Sequence, residues 1–331
     1  MKITRLQLRR VLDASKLLDS SASPYIGLQF TDTGLAFYRT SNLGYVRSLN
    51  YNRADSRSLV ASFNHLALTL DAIREEDLEL EADRSGMLRL STTDAVGTSE
   101  VRIHTLRTET PWSKLHRPGI VAKELDPQMF QGVNVRPYTL AAPPVLRDSK
   151  LLLPTTSGLV MRQGMAESSY PYPRESFLKA LHDLDVQRLI KTVEGYWGAL
   201  TESFELVTDG HRIGDALFTS CIAAAHPLGE IPAARFLNAL QSALRWADEN
   251  VRIEINSKSG CIEALNAQKN PGGFSFGPPV DWAPFAIAVK TAKTLAATLE
   301  QSTEEYIQVA QTDRGIRMTR GLWETNLNIF R

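Results

Sequence analysis

Apolar positions along this chain change period in a recurring order. Ile3 marks a short strand. Residues 6–18 then place Leu8, Val11, Leu12, Ser15 and Leu18 on one helical stripe, with Arg9, Arg10 and Lys16 largely off it. Ile26, Leu28 and Phe30 alternate as a half-buried strand does, Asp32-Thr33-Gly34 turns, Leu35 and Phe37 alternate again, and a further strand runs through Tyr45-Val46. The order is strand, helix, three strands. Residues 58–107 repeat it: SLVASF is strand-like, Leu66, Leu70 and Ile73 form a stripe, and Leu78/Leu80/Ala82, Leu88/Leu90 and Val101/Ile103 alternate around a turn at Arg84-Ser85-Gly86.

The last hundred residues repeat it twice more. One helix over 232–247 turns Phe236, Leu240 and Leu244 inward, and a second spans 291–300. Turns follow at Lys258-Ser259-Gly260 and Asp313-Arg314-Gly315, and the final strand runs to Asn328-Ile329. The Gly/Pro-rich run 270–284 reads as a loop joining these two units. The middle is less regular. Residues 174–191 predict one amphipathic helix, followed by a strand in VEGYWGAL and a turn at Glu202-Ser203. Before it, Ser157-Gly158 centres a hairpin, but the helix expected over 126–142 is interrupted by Pro137 and stopped by Pro143-Pro144, so this unit is degenerate. Hairpin turns thus fall near 34, 86, 158, 203, 260 and 315, about 56 residues apart. A unit of this kind leaves a sheet face and strand edges uncovered, so pairs should fuse. The expectation is an α+β chain of six β-α-β-β-β units in three domains, 1–110, 111–222 (with 111–170 the least regular stretch) and 223–331.

Composition changes this picture little. Of 331 residues, 37 are basic and 37 acidic, so no whole surface is given over to gripping nucleic acid, although local segregation stays open. MKITRLQLRRVL is too charged for a secretory signal, and no apolar run reaches the ~18 residues of a membrane span, which points to a cytoplasmic protein. Cys221 and Cys261, 40 residues apart, read as two free thiols. The six histidines do not cluster at metal-ligand spacing, so no metal is expected. Of the five tryptophans (112, 197, 246, 282, 323), most should fill the core or its rim.

Two features carry candidate function. Basic residues recur on helices: Arg9, Arg10 and Lys16 on the first, Arg174, Lys179 and Arg188 on the fourth, Arg235 and Arg245 on the fifth, and Lys290 and Lys293 on the last. Acids gather elsewhere, at Glu75-Glu76-Asp77, Glu79, Glu81 and Glu304-Glu305. Cationic helices suit loose, sequence-independent contacts with phosphates. The second feature is Leu206-Val207-Thr208-Asp209-Gly210-His211-Arg212-Ile213. As chemistry, Asp209 could orient His211 as a general base, the arrangement of a hydrolase. No nucleophile elbow, phosphate-binding glycine loop or paired-histidine helix motif accompanies it.

That segment resembles the V-A-T-D-G-H-R-L stretch of the bacterial DNA polymerase III beta sliding clamps, and MKITRLQLRRVLDASKLL is similar to the family's opening strand and helix. The motif lies in the fourth unit here rather than the third, and the chain is shorter than cellular members usually are, as a divergent phage- or plasmid-borne member would be. The resemblance implies a non-enzymatic, cofactor-free homodimeric ring of six domains with helices lining a hole around duplex DNA. It implies a polymerase and other replication proteins as partners, a clamp-loader ATPase that opens the ring, and no membrane association. It also implies a peptide pocket at Thr208, Gly210, His211, Arg212 and Ile213, completed by Asn328, Ile329 and Phe330. A hydrolase using Asp209 and His211, or a clamp-like DNA-binding protein that never closes a ring, are the alternatives.

Overall fold

A computed structural model describes residues 1–18, 21–32, 34–51, 58–82, 86–93, 97–106, 122–165, 171–211, 225–280, 282–312 and 315–328. Its first unit is β1 (Lys2–Thr4), α1 (Arg5–Ser15), β2 (Tyr25–Thr31), β3 (Gly34–Thr40) and β4 (Gly44–Ser48). The second is β5 (Ser58–Ser62), α2 (Phe63–Ala72), β6 (Asp77–Ala82), β7 (Met87–Thr93) and β8 (Thr98–Leu106). The third has β9 (Ala122–Leu125), a single 3-10 turn at Pro127–Phe130 where a helix would stand, then β10 (Val145–Arg147), β11 (Lys150–Thr155) and β12 (Gly158–Arg162). The fourth has α3 (Glu175–Leu181), β13 (Arg188–Thr192), β14 (Tyr196–Leu200) and β15 (Phe204–Asp209). The fifth is β16 (Ala225–Pro232), α4 (Ala233–Trp246), β17 (Arg252–Asn256), β18 (Cys261–Leu265) and β19 (Pro271–Ser275). The sixth is β20 (Phe285–Ala288), α5 (Val289–Leu299), β21 (Tyr306–Thr312), β22 (Gly315–Arg320) and β23 (Trp323–Asn328). The sixfold repeat of the sequence pattern is present, with a degenerate third unit.

The repeat is also written in letters. Four of the hairpins open on a threonine whose hydroxyl donates to the carbonyl three residues on: Thr31 to Gly34 at 2.8 Å, Thr155 to Gly158 at 2.7 Å, Thr201 to Phe204 at 3.0 Å and Thr312 to Gly315 at 3.1 Å. Such local side-chain bonds fix the turn and hence the register of the strands it joins. Gly34 (φ 129°) and Gly158 (φ 141°) take backbone angles that a side chain disfavours.

First strands are exchanged within pairs of units. β1 pairs with β6 (Ile3 opposite Leu78), and β5 pairs with β2 (Val60 opposite Gly27). Likewise β16 pairs with β21, β20 with β17, and β9 with β13. A lone unit would therefore lack one strand of its own sheet. The fourth unit departs from this rule, its first strand being reduced to a bridge between Tyr172 and His211.

Two stretches differ from the sequence reading. The helix expected over 174–191 stops at Leu181, because Arg188–Thr192 is claimed on both sides by β14 and β9. Long-range pairing outweighs the local helical pattern. Within the expected loop 270–284, Pro271–Ser275 forms β19, paired among the described residues to β18 alone. Proline is tolerated there because an edge strand leaves its first N–H without a required partner.

The chain divides into two compact units that do not follow the pairs: Met1–Gln128 with Ser176–Gly210, and Met129–Glu175 with His211–Arg331. The first holds a 12-stranded sheet in the order β1-β6-β7-β8-β5-β2-β3-β4-β15-β14-β13-β9, with α1 and α2 packed side by side. Leu8, Leu12, Leu66 and Leu70 are fully buried beneath those helices. The second holds a seven-stranded sheet, β10-β11-β12-β23-β22-β21-β16, and a four-stranded one, β19-β18-β17-β20. Its α4 and α5 also lie side by side, over a core that includes Phe236, Leu240, Ile253, Leu295 and Ile307. Trp197, Trp282 and Trp323 are buried, Trp246 is exposed, and Cys261 is a free, partly exposed thiol; Cys221 and Trp112 lie outside the described residues. No helix of the described residues is long and apolar enough to cross a membrane.

Candidate DNA-facing helices and partner-binding segment

The helix stripes decide which cations face outward. α1 starts on a capping box, with Gln7 N–H donating to Thr4 Oγ1 at 3.1 Å and Thr4 N–H to Gln7 Oε1 at 2.8 Å. Burial of Leu8, Val11, Leu12, Ala14 and Ser15 leaves Arg10 and Lys16 exposed. Arg9 reaches across to Asp71 on α2 at 2.5 Å, and Lys16 pairs with Asp13 at 3.1 Å. The Arg9 guanidinium, by hydrogen bond and charge, holds the Asp71 carboxyl below its ordinary value. Arg10 makes no ion pair among the described residues. α2 presents Asn64, His65, Leu68 and Asp71, and so adds no basic stripe.

In the second compact unit α4 buries Phe236, Leu237, Ala239, Leu240 and Ala243, which leaves Arg235 and Arg245 exposed. On α5, Lys290 and Lys293 are exposed, and Lys293 lies 3.3 Å from Glu249. Lys179 is half-buried on α3, and Arg174 stands just before that helix. Arg188 is a correction. It opens β13 and pairs with Glu124 of β9 at 2.9 Å, so it is a cross-strand ion pair rather than a helix-face cation.

The Thr208 segment spans the division between the compact units. Thr208, buried on β15, stands opposite Trp197 on one side and Gly44 on the other, and Asp209 N–H donates to Leu43 O at 2.6 Å. Thr208 Oγ1 is buried without a hydrogen bond among the described residues. Gly210 N–H donates to Gly195 O at 2.8 Å. His211, in the second compact unit, is buried with its ring 5.9 Å from that of Tyr172, and its backbone exchanges two hydrogen bonds with Tyr172 at 2.9 and 3.1 Å. Asn328 ends β23, opposite Gly315. Arg212, Ile213, Ile329 and Phe330 lie outside the described residues. β15 pairs with β4 whereas β23 pairs with β12, so the two halves of the expected pocket stand on different sheets.

Sequence reasoning missed the residues that join β4 to β15. Glu205, 4% exposed, accepts from the Tyr45 hydroxyl at 3.0 Å and from Arg47, its cross-strand neighbour. A Cβ on Gly44 would come within 1.9 Å of Val207 O. In the sequence Gly44 reads as one more turn glycine, and nothing local reveals that another backbone passes so close.

Two strand edges also stand out. β8 is paired to β7 over Thr98–His104, but on its other side, among the described residues, only Thr105 and Leu106 meet a strand, β5. β19 has no neighbour beyond β18 among the described residues, and the Trp246 indole lies so close over Gly272 that a Cβ there would be 2.7 Å from the ring. The other sheet ends are guarded: β1, β9, β10 and β20 have three or four residues, and β16 carries two prolines and an irregular register at Pro227–Gly229.

With strand order, helix placement and edges in view, known structures decide the architecture. The Helicobacter pylori beta clamp bound to a DNA ligase peptide matches 100% of both chains with a TM-score of 0.72 at 10% identity. The Bacillus subtilis DNA polymerase sliding clamp matches 100% of this chain and 98% of its own, with a TM-score of 0.71 at 12% identity. The chain has the sliding-clamp fold. The Streptococcus pneumoniae DNA polymerase III beta chain matches equally well, with a TM-score of 0.72 at 10% identity over 100% and 99% of the two chains. No protein-family model matches the chain, and a search of curated proteins finds no relative by sequence. The clamp likeness thus lives in backbone architecture, with few shared residues beneath it.

Proposed function

We propose that this chain is a processivity clamp: two copies close head to tail around duplex DNA and tether a replicative polymerase to it. The observation that carries the reading is the full-length agreement of all six units with sliding clamps from three bacterial genera. The exposed cations of α1, α4 and α5 support it. A ring held on DNA by topology needs only loose phosphate contacts, which carry no sequence information and allow sliding. The two edges that stay open among the described residues support closure, because pairing β8 of one copy with β19 of the next would cover both. On this reading the domains are 1–110, 111–222 and 223–331, with the first of one copy meeting the third of the other.

The chain performs no chemistry of its own in this role and works in the cytoplasm; a clamp-loader ATPase opens the ring. Partners dock peptides at Thr208, Gly210, His211, Arg212 and Ile213 together with Asn328, Ile329 and Phe330, by analogy with the peptide carried by the Helicobacter pylori clamp. The burial of His211 against Tyr172 disfavours the hydrolase alternative, since a general base must reach its substrate. Sedimentation equilibrium tests closure: a dimer at micromolar concentration is expected, and a strict monomer would refute a two-chain ring. Deleting Ile329–Arg331 should weaken a polymerase-derived peptide without unfolding the chain, and unchanged affinity would move the pocket elsewhere.

A further inference from the structure

Four cations stand on α1 and its C-terminal cap: Arg5, Arg9, Arg10 and Lys16. Arg5 Nε donates to Leu70 O at 3.4 Å, Arg9 pairs with Asp71 at 2.5 Å, and Lys16 pairs with Asp13 at 3.1 Å. Arg10 alone of the four makes no such bond among the described residues. Asp71 is the one carboxylate of α2, and it lies among the α1 cations. The Arg9 hydrogen bond and charge, with the charges of Lys16 and Arg5 adding to them, hold its carboxyl below the ordinary value, so it is an anion at neutral pH. Its side chain is 58% exposed, so the charge is presented to whatever meets this helix face. In the second compact unit the bond across the helix pair is different. Gln241 Nε2 of α4 donates to Glu300 Oε1 at the cap of α5, at 2.5 Å, which spends no cation. Arg235, Arg245 and Lys290 make no ion pair there among the described residues.

We infer that Asp71 is a built-in brake on DNA contact: it occupies Arg9 and repels the phosphates that would otherwise reach that guanidinium, so that α1 meets duplex DNA chiefly through Arg10. The inference rests on the reading of these helix faces as DNA-facing. An exposed ion pair need not be strong to act in this way. A phosphate that takes Arg9 must come close beside the Asp71 carboxylate, so it replaces one anion and is repelled by it. A cation already paired to a carboxylate also displaces no counterion from DNA, and so adds nothing to the salt-dependent part of the affinity. A ring that stays on DNA by its shape has use for such a brake, because each further phosphate contact would slow its sliding.

The test uses the full chain and a short fluorescein-labelled linear duplex, titrated by fluorescence polarisation between about 50 and 200 mM salt. Asp71→Asn should tighten binding about 3- to 10-fold at the lowest salt and steepen the slope of log affinity against log salt by about 0.9, the mark of one added phosphate contact. Adding Arg9→Gln to Asp71→Asn should remove the whole gain. Glu79→Gln, an exposed acid on β6, makes the same change in net charge and should shift affinity by less than about 2-fold. Arg10→Gln is the reference and should flatten the slope by about 0.9. A cooperative circular dichroism melt verifies that each variant folds. An unaltered slope in Arg10→Gln would remove α1 from the DNA-facing surface, and the inference with it. With the Arg10 effect present, three results would overturn the inference alone: no gain from Asp71→Asn, a gain that survives Arg9→Gln, or an equal gain from Glu79→Gln.

Discussion

Gly44→Ala offers a sharp test of how β4 is joined to β15. The new Cβ would stand 1.9 Å from Val207 O, 2.8 Å from Thr208 Cα and 2.9 Å from Val207 C. All three are backbone atoms, so no rotamer change relieves the overlap. Ordinary contact needs the strands to part by roughly 1.5 Å at this end, enough to break a backbone hydrogen bond whose N···O distance should be ~2.7–3.2 Å. Asp209 N–H to Leu43 O, now 2.6 Å, is the bond nearest the overlap. One or two lost bonds at ~0.5–1.5 kcal/mol each, added to ~1–3 kcal/mol for overpacking, give a cost of about 1.5–6 kcal/mol. Gly27→Ala is the control: in the same sheet its Cβ would meet Tyr38 O at an ordinary 3.5 Å, so the change should be neutral within about 1 kcal/mol. Urea denaturation reads the stabilities, and amide exchange at Val207–Asp209 reads the local opening. Equal stability and equal exchange protection for Gly44→Ala and Gly27→Ala would refute the reasoning.

Three further outcomes follow from the same structure. Glu205→Ala should cost about 3–5 kcal/mol, whereas Arg47→Met with Glu205→Gln, which keeps an acceptor for the Tyr45 hydroxyl, should cost far less, since losing one member of a buried pair is worse than replacing both; a double-mutant cycle checks it. Charge reversal at Arg10, Arg235 and Lys290 should lower the slope of duplex-DNA affinity against log salt by about 3 while leaving the melt unchanged; unaltered DNA binding would remove these helices from the DNA-facing surface. Lys191 is held at about 8 by burial, with the charge of Lys123 opposite adding to it. The folded chain therefore binds fewer protons than the unfolded one between pH 8 and the ordinary lysine range. Its penalty is full below about pH 8 and fades as pH rises, so Lys191→Met should raise Tm most at neutral pH and least near pH 10.

How much of this could be read from letters depended on whether the cause was local. The six turns were legible because glycine and threonine at a hairpin act within four residues. The helices of the first, second, fifth and sixth units were legible because their stripes face a sheet made largely from nearby chain. The truncated α3 was not, because β9, more than 60 residues upstream, converts Arg188–Thr192 into a strand. That conversion removed Arg188 from the cationic helix set. The strand in Pro271–Ser275 was hidden by its own composition, proline and two glycines that an edge position tolerates. The cationic faces of α1, α4 and α5 were legible as residues off the apolar stripe, although the Arg9–Asp71 pair across two helices was not. Gly44 and Glu205 owe their roles to β4 and β15, which meet across about 160 residues of sequence, and no window of the chain contains both sides.

The closed ring is the centre of this account, and class averages of the purified protein by electron microscopy test it most directly. The account predicts two-chain particles with six lobes around a central hole wide enough for duplex DNA. Particles of one chain, or two-chain particles with no central hole, would contradict it.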